Sequence, residues 1–169
     1  MKLKKIICWP PLLGGVGAGV TIGILAYITF QSILAGTNYG LWLAASFGSS
    51  VVVVFGYPDT EFAQPKNVLL GHLLCALIGI IFVTLFKITQ DRTIFFLTIG
   101  LAVGLSVMLM MALKITHPPA GGNTIVVMLT QDSFQFLIFP IMVGAITIIV
   151  GGVVYNRFIL KKNYPLKWL

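Results

Sequence analysis

The chain alternates long apolar runs with short polar punctuation. Four runs, at about 11–34, 67–86, 93–113 and 134–155, contain no Asp, Glu, Lys or Arg. A bilayer core about 30 Å thick takes roughly 20 apolar residues per helix, so each run predicts a full transmembrane helix. Two further apolar runs are broken by polar residues. One, 41–57, is interrupted by Ser46, Gly48, Ser49 and Ser50; the other, 116–130, reads THPPAGGNTIVVMLT. The pattern predicts an all-α polytopic membrane protein with four full helices and two broken or re-entrant half-helix segments, in a single domain over 1–169.

Polar residues mark the boundaries. Pro10 and Pro11 suit the first turn of the first helix. Pro58 and Pro65 bracket a surface loop, PDTEFAQPKN, in which Gln64 and Asn67 read as loop residues. AGTNYG, Lys87 with Asp91 and Arg92, and Gln131 to Ser133 supply the other turns, and a basic tail carries Arg157, Lys161, Lys162 and Lys167.

Small residues recur every four positions at Gly15, Gly19 and Gly23, at Gly71, Cys75 and Gly79, and at Gly100 and Gly104. Such stripes let helix backbones approach, within one chain or between chains. A shift of about 74 positions lays Gly48, Ser49 and Ser50 on Gly122, Asn123 and Thr124, suggesting repeat halves at 11–86 and 93–156. Two topologies follow. Re-entrant broken segments make four spans with parallel halves; fully crossing ones make six spans as a 3+3 inverted repeat. As a helix, 121–130 covers about 15 Å, and 115–120 reaches roughly 20 Å if extended, which fits an extended leg going in and a half-helix coming out.

Composition agrees with a membrane protein: 58% of residues are hydrophobic, 9% are charged, and mean hydropathy is +1.02. The net charge of +7 sits beside the apolar runs rather than in a patch for nucleic acid, as the positive-inside bias expects. Both termini are expected on the cytoplasmic side of a bacterial inner membrane. The amino-terminal apolar run is longer than a signal-peptide core and reads as a retained span. Cys8 and Cys75 lack the spacing of a zinc or redox site, so no metal or cofactor is expected.

Within the apolar runs, His72 and His117 are the only ionisable groups of acid–base type outside cysteine and tyrosine. Cation channels and pumps place carboxylates in the membrane, and these runs have none. Helix restarts at Gly48 to Ser50 and at Gly121 would instead offer free N–H donors, helix-dipole charge, hydroxyls and an amide. The expected substrate site is therefore Ser49, Ser50, His117, Gly121, Gly122, Asn123 and Thr124, with Pro118, Pro119 and Gly48 shaping it and His72 secondary. Such a site suits a small anion or a polar neutral solute. The same residues also have structural readings, as N-caps for the Ser, Asn and Thr side chains and as packing or carbonyl partners for the histidines. An enzyme is not expected, because no carboxylate in these runs can orient a histidine beside Ser49 or Ser50.

HPP at His117 to Pro119 followed by AGGNT, the upstream FGSSVVVVFGYPDTEFAQPKN, and Gly71-His72 resemble the HPP family of bacterial and plastid membrane proteins over nearly the whole chain. The resemblance implies a four-span domain and transport, with nitrite the substrate of some chloroplast and cyanobacterial members. The chain differs from the usual family pattern in its AGGNT run and in Ser46, where proline is more usual. Its expected partners are a small anion, membrane lipid and further copies of itself. The alternative is a non-transporting structural or assembly subunit of a membrane complex.

Overall fold

The computed structural model describes residues 9–34, 44–86, 92–130 and 133–168. The amino-terminal lysines, Cys8, the AGTNYG turn, Lys87, Asp91, Gln131 and Asp132 lie outside the described residues. The elements are α1 (Trp9–Leu34), α2 (Ala44–Gly56), α3 (Pro65–Phe86), α4 (Arg92–Ala112), α5 (Gly121–Thr130) and α6 (Val143–Val153). Irregular turns at Leu137–Met142 and Val154–Ile159 extend α6 into one apolar stretch, Leu137–Ile159. Among the described residues, four stretches are long and apolar enough to cross a membrane, and α2 and α5 are the two short helices.

Contacts fix the helix directions. Gly71 faces Ala120, the Cys75 carbonyl accepts from Thr124, and Gly79 faces Val127, so α5 runs parallel to α3. Gly144 faces Phe47 and Gly152 faces Val54, so α2 runs parallel to α6. Tyr164 Oη donates to the Ala63 carbonyl, and the Gln64 side-chain oxygen accepts from Leu166 and Lys167 N–H, which sets the carboxyl-terminal tail beside the start of α3. Burial pushes the Tyr164 phenol above its ordinary range and keeps it a donor. Asn67 donates to the Thr116 carbonyl, which brings the end of α4 to the same place. Gly14 and Gly17 lie against Phe55 and Tyr155, so α1 starts there too. This proximal end gathers the starts of α1 and α3 and the ends of α2, α4 and α6.

The 115–120 segment does not form a long extended leg. Ile115, His117 and Ala120 all pack against Gly71, two turns into α3. From that level α5 continues away from the proximal end instead of returning to it. The direction of α5 does not follow the re-entrant path, and the six segments alternate in direction as the six-crossing alternative expects. The physical reason is Gly71: without a Cβ, α3 lets the broken segment seat at this depth and start α5 in line with itself.

Of the small-residue stripes, only Gly71, Cys75 and Gly79 seat a neighbouring helix. Gly15, Gly19, Gly23, Gly100 and Gly104 face open space, and α1 and α4 pack instead through Gly14, Gly17 and Thr21 and through Thr98, Ala102, Ser106 and Met110. Gly71 to Gly144, Gly79 to Gly152, Phe47 to Ala120 and Val54 to Val127 are each 73 positions apart. The α3·α5 contact therefore has an equivalent in the α6·α2 contact, in a register that pairs Ser50 with Asn123 rather than with Thr124.

Candidate functional site

The site begins with the way α4 ends. Lys114 adopts φ 53°, and the N–H groups of Lys114 and Ile115 donate to the carbonyls of Met111 and Met110. This is a Schellman-type stop. It turns the chain inward, where His117 is extended (φ −132°, ψ 98°) and Pro118–Ala120 forms a single tight turn leading into α5. The two prolines suit this arrangement, since they fix φ and have no N–H to satisfy.

At the level of Gly71 six side chains meet. His72 and His117 are fully buried with ring centroids 5.0 Å apart, and Phe47 lies 4.8 Å from the His72 ring. Ser50 Oγ sits between them, 2.8 Å from His72 Nε2 and 2.9 Å from His117 Nε2. His117 Nδ1 is 2.7 Å from the Phe62 carbonyl, which can only accept, so Nδ1 carries the proton. Asn123 Nδ2 lies 2.7 Å from His72 Nδ1 and 3.3 Å from the His72 carbonyl, which orients the amide and makes His72 Nδ1 an acceptor. Ser46 Oγ donates to Asn123 Oδ1 at 2.6 Å.

One consistent chain of donors results. Ser46 gives to Asn123, Asn123 to His72, His72 Nε2–H to Ser50, Ser50 O–H to His117, and His117 to the Phe62 carbonyl. Every member has its partner, as burial in an apolar bundle requires.

Of the expected site residues, Ser50, His117 and Asn123 converge, with His72 as a central member. Thr124 is buried beside them and bonds Ser106 and the Cys75 carbonyl. Gly121 and Gly122 form the first turn of α5, and the Gly121 N–H is taken by the carbonyls of Pro118 and Pro119. The restart at Gly48 is corrected: α2 runs unbroken through Gly48, Ser49 and Ser50, whose N–H groups lie inside the helix. The Ser49 hydroxyl donates to the Ser46 carbonyl, and Ser50 Oγ lies 2.9 Å from the same carbonyl. Serine tolerates a helix interior when it bonds back to a preceding carbonyl, so the polar run does not break α2. One half-helix start, that of α5, therefore lies at the site. Ser49 is exposed and faces a groove of about 620 Å³ lined by Ser46, Pro118, Pro119 and Gly122.

Sequence reasoning missed Ser46 and the Phe62 carbonyl as members and read Asn67 and Gln64 as loop residues. Gln64 is buried and bonds Pro58, Thr60 and the tail, and Asn67 lies in the first turn of α3. The sequence signal for Ser46 was its place in the polar interruption, one helical turn before Ser50.

Behind Phe62 opens a cavity of about 520 Å³ at the proximal end, lined by Glu61, Gln64, Lys66, Asn67, Lys114, Thr116 and Lys167. It holds three lysines against one carboxylate, and Phe62, which also lines it, is the residue whose carbonyl accepts from His117. Among the described residues, no group of three or more His, Cys, Asp or Glu is placed to hold a metal.

A bundle of this kind, with a fully hydrogen-bonded polar cluster buried between helices too apolar for water, defines a polytopic helical membrane protein. The HPP transmembrane-region family model matches residues 5–165, and the chain belongs to the HPP family. It is similar to two transmembrane proteins of Dictyostelium discoideum. One is 35% identical over 130 residues, covering 75% of this chain and 45% of that protein. The other is 29% identical over 151 residues, covering 87% and 48%. The chain thus spans under half the length of these relatives. No solved structure matches it.

Proposed function

We propose that the chain moves a small monovalent anion across the membrane, nitrite being the substrate the family resemblance favours. The observation that carries this reading is the juxtaposition of the lysine-rich cavity and the buried His117–Ser50–His72 cluster, linked by Phe62, which lines the one and bonds the other through its carbonyl. A cavity with excess cationic charge raises the local concentration of anions. Beyond it, the buried cluster is built of neutral hydrogen-bonding side chains and brings no carboxylate to repel the anion. The chemistry is desolvation and hydrogen bonding, with no covalent step.

The proximal end carries Lys66, Lys114, Arg157, Lys161, Lys162 and Lys167. By the positive-inside bias we assign that end, with the start of α1 and the carboxyl-terminal tail, to the cytoplasm. The exposed glycine faces of α1 and α4 are the surfaces through which we expect copies of the chain to associate.

The test is nitrite uptake by proteoliposomes holding the purified full chain. Uptake above that of empty vesicles is expected, reduced roughly 3- to 10-fold in a Lys66→Gln, Lys114→Gln double variant through lost attraction at the cavity. If nitrite and other small anions cross no faster than in empty vesicles, the assembly-subunit alternative replaces transport.

A further inference from the structure

We propose that the His72–Ser50–His117 cluster is a one-proton site, at which His117 takes up a single proton together with an anion in the adjacent lysine-lined cavity. The proposal rests on the anion-transport reading for its cargo, but the proton site itself stands on hydrogen-bond geometry.

Ser50 Oγ has two acceptors for its one proton. His117 Nε2 lies 2.9 Å away, and so does the Ser46 carbonyl. With both imidazoles neutral, the hydroxyl donates to His117 Nε2. When His117 gains a proton from hydronium, an N–H bond forms at Nε2 and water is released. The new N–H then donates to Ser50 Oγ, whose hydroxyl turns to the Ser46 carbonyl. His117 Nδ1–H stays on the Phe62 carbonyl, and His72 Nε2–H stays on Ser50 Oγ. Every donor and acceptor of the cluster is satisfied in both states with no movement of heavy atoms.

A second proton has no such place. His72 Nδ1 faces the Asn123 amide nitrogen, whose orientation is held by Ser46 on one side and the His72 carbonyl on the other. Two imidazolium rings with centroids 5.0 Å apart would also repel. The cluster therefore holds one excess charge, at His117.

The surroundings decide what balances it. Among the described residues, α2 and α5 bring only uncharged Ser46, Ser49, Ser50, Asn123 and Thr124 toward the pair. On α3, Cys75 lies one turn beyond His72, and on α4 the nearest groups are Ser106 and Met110. The charged groups are Glu61, Lys66, Lys114 and Lys167, all lining the cavity behind Phe62. That set is net cationic, so an anion bound in the cavity supplies the negative charge that favours the imidazolium, and by linkage the imidazolium favours the anion. An anion and a proton moving together cross without net charge.

Two measurements on the full chain decide this. In nitrogen-15 histidine NMR of the protein in detergent, one of the two imidazoles is expected to titrate. At high pH His117 carries its proton on Nδ1 and His72 on Nε2, and sodium nitrite moves the His117 midpoint upward. Ser50→Ala is expected to abolish the nitrite-induced shift, and Ser50→Thr to retain it. Titration of both rings, or of neither, overturns the proton site; a midpoint indifferent to nitrite overturns the coupling. In proteoliposomes with an internal pH dye, an inward nitrite gradient is expected to carry in one proton per anion beyond the acidification of empty vesicles. Nitrite flux without proton movement also overturns the coupling. Absent flux defeats the transport reading, while the NMR titration still decides the proton site.

Discussion

Asn123 shows how much a single side chain carries here. Its amide receives the Ser46 hydroxyl and gives to His72, so its loss strands a donor and an acceptor in an apolar interior. Leaving one buried polar group unpaired costs about 1–3 kcal/mol. Asn123→Ala is accordingly expected to lower stability by roughly 2–4 kcal/mol, read as earlier thermal unfolding in detergent. The two histidines were unequal in the sequence, where His117 sits in a conspicuous motif and His72 in a plain apolar run. In the structure one serine hydroxyl bridges both, and each is fully buried. His72→Ala and His117→Ala are therefore expected to reduce nitrite flux to a similar extent; a tenfold disparity in proteoliposome rates would return His72 to a packing role. The difference was not legible from one sequence because His72 meets its partners across 22 and 51 positions of chain.

The helices depend on where side chains are missing. A Cβ on Gly71 would lie 3.0 Å from the His117 Cβ and 3.2 Å from the Ile115 carbonyl, and one on Gly144 would meet the Phe47 ring. Overpacking of this kind costs about 1–3 kcal/mol. Gly71→Ala is expected to displace the HPP turn, with loss of both stability and flux, whereas Gly56→Ala, in open space, leaves both unchanged. Unfolding in detergent and nitrite uptake, measured side by side, separate the two cases. The stop of α4 points the other way. Lys114 holds a left-handed conformation that costs a residue with a Cβ about 1–2 kcal/mol. Glycine relieves that cost but has more chain entropy to lose on folding. Lys114→Gly is expected to stabilise the fold by roughly 0.5–1 kcal/mol while weakening anion attraction at the cavity.

At the scale of the whole molecule, six segments alternate in direction. Tyr57 and Ser133 therefore belong to opposite ends of the bundle, Tyr57 at the proximal end after α2 and Ser133 between α5 and α6. Cysteines at these two positions are expected to react with a membrane-impermeant maleimide from opposite sides, Tyr57→Cys from the cytoplasm. Labelling of both from one side would restore the re-entrant path. Charge alone could not choose between the paths, because they exchange Lys66 and Lys114 for Lys87 and Arg92 and leave the balance of cations unchanged. What chose was the direction of α5, set by Gly71 and Gly79 in parallel contact with Ala120 and Val127.

The THPPAGGNTIVVMLT stretch marks the division between the two kinds of information. By itself the sequence determined the membrane class, the four long helices, the two short ones and the start of α5, because these follow from local hydropathy, proline and glycine over about 20 residues. It also singled out Ser50, His117 and Asn123, which stand out as polar residues in apolar surroundings. Only the tertiary structure decided that α2 does not restart at Gly48, that the α5 turn goes onward rather than back, and that His72 and Ser46 complete the cluster. Those outcomes depend on which helix faces meet across 50 to 100 positions of chain, and contact between faces is a property of packing that no local pattern encodes.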